Sequence, residues 1–225
     1  MNENAIEYWY PKIKDIVPTP KTAIIPAERK WDKSGEFLYV PKRYVKEIIK
    51  QASDFTFPIF LRASDSSCKH DWKDTCFVPN IEVLEKHIHR IANECEALDV
   101  FGGVSLSSYA IREYIEMDSK FKFFWGELPI NSERRYFIYN HKVICHHPYW
   151  TSESIKDPQY TELLIELNTD TNEEKDLLNR YACQIAEKFD GYWSIDFCRA
   201  KTKKWYCIDM ANGKESWHPE CNLKL

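Results

Sequence analysis

This sequence predicts a mixed fold of strands and helices organised around hairpins, on three observations. The first is the stretch Tyr109–Trp150. Its opening run Tyr109–Ile115 is β-rich, and Ser132–Tyr139 and Val143–Tyr149 flank Asn140-His141 as the two strands of a hairpin, with a mobile connection expected before them. The second is a closing pair of strand-like runs, Tyr192–Arg199 and Lys204–Met210, joined by Ala200-Lys201-Thr202-Lys203. The third is a set of segments with helical periodicity: Arg43–Ala52, Asn80–Leu98 and Glu173–Phe189.

The chain has 225 residues, enough for one large domain or two small lobes with a sizeable core. A net charge of −4 gives no basic field, so no nucleic-acid partner is expected. No run approaches the ~20 apolar residues of a membrane helix, so no membrane is expected either. The N-terminal run lacks a basic segment followed by an apolar core, which points to the cytoplasm. In that compartment the 8 scattered cysteines, none in a CxxC pair, read as reduced thiols. Cys145-His146-His147 and His218-Pro219-Glu220-Cys221 contain zinc-ligand residue types, but neither has the partner spacing of a zinc site.

Taken in order, residues 1–35 carry Pro11, Pro18, Pro20 and Pro26 among Tyr8, Trp9, Tyr10 and Trp31, a composition that predicts a segment draped over a surface and pinned by its rings. Glu36–Val40 reads as a short strand, and Pro41 then opens a helix with Tyr44, Val45, Ile48 and Ile49 on one side. Phe57–Leu61 is a short apolar run, hence a buried strand. It leads through Arg62 into a serine-rich loop with Lys69. Asn80 is a fair N-cap for a helix with a stripe of Ile81, Leu84, Ile88, Ile91 and Cys95, and His87 and His89 are expected at its surface. Leu98–Ser108, with Gly102-Gly103, reads as a turn. Thr151–Thr171 shows no clear pattern. In the last helix Leu178, Ala182 and Ile185 face inward, and Asp190-Gly191 is expected to end it.

The charges within the strands carry the chemistry. Glu133 and Arg135 are two apart on a strand and leave the same face, which is unusual unless that face lines a site. In the closing hairpin Trp193, Ile195, Phe197, Tyr206, Ile208 and Met210 are expected on one face, with Asp196 and Asp209 on the other. An even-length loop would set the two acids directly opposite, where like charges repel, so a cation between them is expected. Oxygen ligands alone point to Mg²⁺ or Mn²⁺, with Asn212 a further donor.

The order of these pieces, ending in Ile195-Asp196-Phe197 and Ile208-Asp209-Met210, resembles the ATP-grasp superfamily from about Phe57 to Asn212. The likeness is greatest to the small clade marked by two arginines and a lysine. The chain is also similar to a cell-division-cycle family that helps assemble a translation initiation factor. The resemblance implies an α+β fold of two lobes with ATP between them. Residues 1–55 would form an N-terminal segment and the start of the first lobe, 56–108 the first lobe, and 109–225 the second. It implies that Arg62, Lys69, Arg112, Glu133 and Arg135 contact the nucleotide, with Lys69 and Arg135 catalytic. The backbone of Glu113, Tyr114 and Ile115 would read adenine, Glu116 or Asp118 would hold the ribose, and Asp196, Asp209 and Asn212 would hold Mg²⁺. The implied function is a ligase that activates a carboxylate as an acyl phosphate and joins it to an amine, on a small-molecule, peptide or protein acceptor. The alternative is an ATP-binding assembly factor, for which exposed Tyr8, Trp9 and Tyr10 would offer a docking surface. The chain departs from the family in its serine-rich loop, where many relatives use glycine, and in Ala211, which stands where the metal asparagine is usual.

Overall fold

A computed structural model describes residues 2–31, 33–34, 38–99, 106–124 and 127–218. The first part of the chain forms α1 (Ile6–Ile13), β1 (Thr22–Pro26), β2 (Lys30–Trp31), β3 (Leu38–Tyr39), α2 (Lys42–Ala52), β4 (Ile59–Ala63), β5 (Phe77–Val78) and α3 (Leu84–Asp99). The rest forms β6 (Ser108–Glu113), β7 (Ser119–Phe123), β8 (Leu128–Asn131), β9 (Glu133–Tyr139), β10 (Lys142–Pro148), α4 (Thr161–Leu167), α5 (Asn172–Ala186), β11 (Tyr192–Arg199) and β12 (Trp205–Asn212).

Two antiparallel four-stranded sheets organise these elements, in the orders β1-β6-β4-β5 and β10-β9-β11-β12. Each has its own core, so the fold is α+β. Helices α2 and α3 lay Ile48, Leu84, Ile88 and Ile91 on Ile59, Leu61 and Ile111 of the first sheet. Helix α5 lays Leu178, Ala182 and Ile185 on Ile138, Ile195 and Phe197 of the second. These stripes follow the helical period of the sequence. Asn80 caps the turn before α3 by accepting from the Val83 N–H, and Thr171 and Glu174 form a capping box at the start of α5. Asn140 (φ 43°) and His141 (φ 69°) both adopt left-handed backbone, as the tight β9–β10 turn requires.

Several local readings change. The N-terminal aromatics are not draped; they lie on α1, with Trp9 and Ile13 fully buried against the second sheet and Tyr8 stacked on Trp193 at 5.6 Å. Pro11 argued against a helix, but burial of the Ile6/Trp9/Ile13 stripe outweighs the one backbone donor it removes. The connection after β6 is not a loose linker, since β7 and β8 pair as a hairpin. His87 is buried, its Nδ1 2.7 Å from the Thr75 carbonyl, whereas His89 sits near Glu85 at the surface. Helix α5 ends at Ala186, and Gly191, at φ 78°, serves the bend before β11. The 151–171 stretch yields α4, whose Leu164 and Leu167 pack on Trp150, Leu128 and Ile130. Strand β6 pairs with β1 and β4, so Tyr109–Glu113 belong to the first sheet. Gly102-Gly103 and part of the Glu36–Val40 run lie outside the described residues.

The closing hairpin differs in an instructive way. Near its loop Arg199 pairs with Trp205 and Phe197 with Cys207, yet Asp196 pairs with Asp209. A β-bulge at Ile208 absorbs the extra residue and changes the phase of β12. Trp205, Cys207 and Met210 therefore face the core, while Tyr206 and Ile208 do not.

Replacing Trp9 by Ala should destabilise the protein by about 3–5 kcal/mol, as for other large buried rings. Urea unfolding of the two proteins measures this. A loss near zero would return the ring to the surface.

Candidate functional site

Where the two sheets face each other, a cavity of about 310 Å³ opens between them and the β7–β8 hairpin. Strand register decides what lines it. On the first sheet Phe60 pairs with Arg112 and Arg62 with Ala110, so Arg62 and Arg112 leave one face side by side. On the second sheet Glu133, Asp196 and Asp209 come from the adjacent strands β9, β11 and β12, and the bulge turns Ile208 toward the same space. Lys69 enters from the serine-rich loop, and Trp72, Tyr114 and Trp150 add apolar walls.

The charges are paired across the cavity floor. Arg62 Nη1 donates to Asp209 Oδ1 at 2.8 Å and its Nε to the Ala63 carbonyl. Arg112 Nη1 donates to the Ile208 carbonyl at 2.6 Å. Arg135 meets Asp196 with both prongs of its guanidinium, at 2.7 Å each. Lys69 Nζ donates to Tyr149 Oη at 2.9 Å and lies over the Tyr149 and Trp150 rings. Among the buried polar atoms of the cavity-lining residues, four remain without a partner: the donors Arg112 Nη2 and Trp150 Nε1, and the acceptors Glu133 Oε1 and Asn131 Oδ1. Such atoms are costly unless something fills the space.

These contacts set the titration of the site. Burial, with Lys69 pulling the other way, pushes the Glu133 carboxyl up to about 7. Burial also disfavours the Lys69 ammonium, but Tyr149 and the carboxylates of Glu133 and Asp196 outweigh it and hold its pKa above the ordinary value. Burial, with Arg62 alongside, brings Arg112 down to about 10, still charged at neutral pH. Against the effect of burial, Arg62, Arg112 and Lys69 keep Asp209 below the ordinary carboxylate range.

The model of an ATP-grasp domain family, the third of the clade marked by two arginines and a lysine, matches residues 39–224. The chain belongs to this ATP-grasp family. Solved structures share the fold at low identity. Cdc123 from Schizosaccharomyces pombe aligns with a TM-score of 0.58 and 17% identity, over 94% of this chain and 86% of that one. A RimK domain ATP-grasp protein from Sphaerobacter thermophilus aligns with a TM-score of 0.50 and 10% identity, over 94% and 59%. An N5-carboxyaminoimidazole ribonucleotide synthetase in complex with ADP aligns with a TM-score of 0.52 and 10% identity, over 92% and 44%, so this chain spans less than half of that enzyme. A comparison with curated protein sequences found no match.

Of the residues the sequence singled out, the ATP-grasp fold brings Arg62, Lys69, Arg112, Glu113, Tyr114, Ile115, Glu116, Glu133, Asp196 and Asp209 to the cavity wall. Three do not reach it. Arg135 lies behind Asp196, also donating to the Trp217 carbonyl and covering the Tyr149 ring. Asp118 turns away to Arg199 and Lys203, which leaves Glu116, paired with Lys201, as the acid at this end. Asn212 falls on the opposite face of β12 from Asp209, and its Oδ1 accepts from the Lys214 N–H. The expected cation between the facing acids is also not needed for their pairing, because each acid already has an arginine. Sequence reasoning missed the wall formed by Trp72 and Trp150, and Tyr149 beside it, which receives Lys69. Only the position of Tyr149-Trp150 at the end of a site-lining hairpin hinted at it.

Two outcomes follow from the charges. A carboxyl whose folded pKa lies above its unfolded value adds stability at low pH and loses it as pH rises through the folded pKa, here from about 4.5 to about 7. Wild type should therefore lose on the order of 2 kcal/mol relative to Glu133→Gln between about pH 4.5 and about pH 7.5, measured by urea unfolding. Parallel pH curves would mean that Glu133 is not held neutral. Asp209→Asn removes the charged partner of a nearly inaccessible Arg62 and should lower the melting point, at a cost of about 1–3 kcal/mol. An unchanged or higher melting point would show that repulsion between the acids dominates.

Proposed function

We propose that this chain binds Mg-ATP in the cavity and uses it to activate a carboxylate as an acyl phosphate, which an amine then displaces. The observation that carries this reading is the wall itself. Two buried guanidiniums and an ammonium gather opposite three carboxylates, with an unpaired donor on Arg112 and an unpaired acceptor on Glu133. Arg62, Lys69 and Arg112 suit phosphate oxygens, which accept charge-assisted hydrogen bonds. The carboxylates of Glu133, Asp196 and Asp209 form an oxygen-only donor set, the kind Mg²⁺ takes. When bound, Mg²⁺ would neutralise phosphate charge beside these oxygens. Trp72, Tyr114 and Ile115 offer apolar surface for a base, and Glu116 is the acid nearest to where a ribose would lie.

The chain's own part is positioning and electrostatic stabilisation. Lys69 and Arg112 hold the phosphate that transfers. An oxygen of the carboxylate substrate attacks the γ-phosphorus and ADP leaves. The amine nitrogen then attacks the acyl carbon, phosphate leaves, and the amine gives up a proton. Arg135 acts as a positioning residue by fixing both oxygens of Asp196. The acceptor is a small molecule, a peptide or a protein, and the compartment is the cytoplasm. The second reading, an ATP-binding assembly factor for a protein partner, drew on Tyr8, Trp9 and Tyr10 as a docking surface. With Trp9 and Tyr10 buried, it loses that support.

Mixing the protein with Mg-ATP and a library of carboxylates and peptides, then following ADP release and trapping acyl phosphate with hydroxylamine, tests the chemistry. Nucleotide binding without trapped product from any acceptor would favour the assembly factor. Lys69→Ala and Arg112→Ala should each weaken ATP more than adenosine, by about 1.5–3 kcal/mol in titration calorimetry. Equal losses for the two ligands would assign these side chains to structure and not to phosphate.

A further inference from the structure

A second group of donor atoms lies on the second sheet, beyond the cavity. Cys145 and His147 are two apart on β10 and share a face, while His146 between them turns the other way and stacks on Tyr136 at 4.8 Å. Residues 213–218 run back across the face that carries Cys145 and His147. The Gly213 N–H donates to the Tyr192 carbonyl at 2.8 Å, and a Cβ at position 213 would come within 2.6 Å of the Tyr192 ring, so the backbone there is seated directly on the ring. Ser216 Oγ meets Ser194 Oγ at 2.6 Å, and the Trp217 carbonyl accepts from Arg135. The His218 ring lies on Phe137, with 3.9 Å between centroids.

This path delivers His218 to the two donors on β10. Its Nε2 is 3.1 Å from Cys145 Sγ, and one donor atom from each of Cys145, His147 and His218 lies within 4.8 Å of the others. Tetrahedral zinc with one sulfur and two nitrogens sets ligand atoms about 3.5 Å apart. Side-chain rotations of an ångström or so would close the three onto one ion. The other nitrogen of His218 is already held, with Nδ1 2.9 Å from Tyr192 Oη. Metal-binding histidines are oriented in the same manner, with one nitrogen on the metal and the other fixed by a hydrogen bond. One thiolate and two imidazoles are softer donors than the oxygens of the cavity and select zinc over magnesium. Spacing gave the sequence no zinc site because the ligands come from two segments that only the fold brings together; Cys221 lies outside the described residues.

We propose that Cys145, His147 and His218 bind one zinc ion, which fastens residues 213–218 to the second sheet. The ion would act at a distance from the cavity, through Trp217 on Arg135 and through Arg135 on Asp196.

The test strips the full-length protein with a chelator and titrates it with Zn²⁺ against a competing dye and, separately, with Co²⁺. No nucleotide is present, so the outcome is independent of ATP binding. Wild type should take up one equivalent, and the Co²⁺ form should show thiolate-to-cobalt charge-transfer absorption. Cys145→Ser should abolish that absorption, and His218→Asn should lose most of the zinc affinity. Tyr192→Phe, which keeps the ring on which Gly213 sits, should weaken zinc by roughly 10- to 100-fold. Asp209→Asn should bind zinc as wild type does. If Cys145→Ser fails to fold, Tyr192→Phe and His218→Asn carry the comparison. No charge-transfer band in wild type, or equal uptake by wild type and all three site variants, overturns the proposal.

Discussion

The ion pair between Arg62 on β4 and Asp209 on β12 joins one sheet to the other, and much of the site depends on it. Arg62 is almost wholly inaccessible and leaves the same face of its sheet as Arg112. Two buried guanidiniums side by side are tolerable only with compensating negative charge. Asp209 supplies part of it, and the Ile208 carbonyl accepts from Arg112. Arg112 is less fully compensated, since its Nη2 is buried without a partner. Ion pairing also explains why the facing acids coexist. Each is held by an arginine, Asp196 by Arg135 of the adjacent strand and Asp209 by Arg62 of the other sheet.

The bulge at Ile208 is the second constraint. It lets the outer half of the last hairpin turn Trp205 and Cys207 into the core while the inner half still sets Asp209 opposite Asp196. Residue alternation in the sequence, read with a regular loop, leads to the same facing acids but to the wrong partition of Tyr206 and Ile208. A bulge carries no composition signal here; only the paired strands reveal it. Arg134 illustrates the opposite face of β9. Between two residues turned toward the site, it is buried in a bidentate pair with Asp170 and packs on Trp205.

What could be read from the sequence was whatever depends on local period or on the order of charged strands. Helices α2, α3 and α5 show their stripes, the β9–β10 and β11–β12 hairpins show their turns, and ten of the residues that the resemblance singled out line one cavity. What could not be read depends on tertiary neighbours. Pro11 disguised α1, and burial alone makes it a helix. The imidazole of His87 is buried because the Thr75 carbonyl, on a distant loop, receives it. Arg135, Asp118 and Asn212 failed to reach the cavity for the same kind of reason, each drawn off by a partner that spacing does not disclose.

Helix α1 has a kinetic consequence. Its Trp9 and Tyr8 pack on Phe189 and Trp193, which lie almost a full chain length away in sequence, and β1 pairs with β6 across all of α2 and α3. Neither contact can form until the distant segment has been made, and closing such long loops is slow. During synthesis the amino-terminal segment must wait, with an aromatic cluster exposed, until the last hairpin emerges. That helix is thus made well before its partners and is among the last elements to find its place, a delay during which exposed apolar surface favours misassociation.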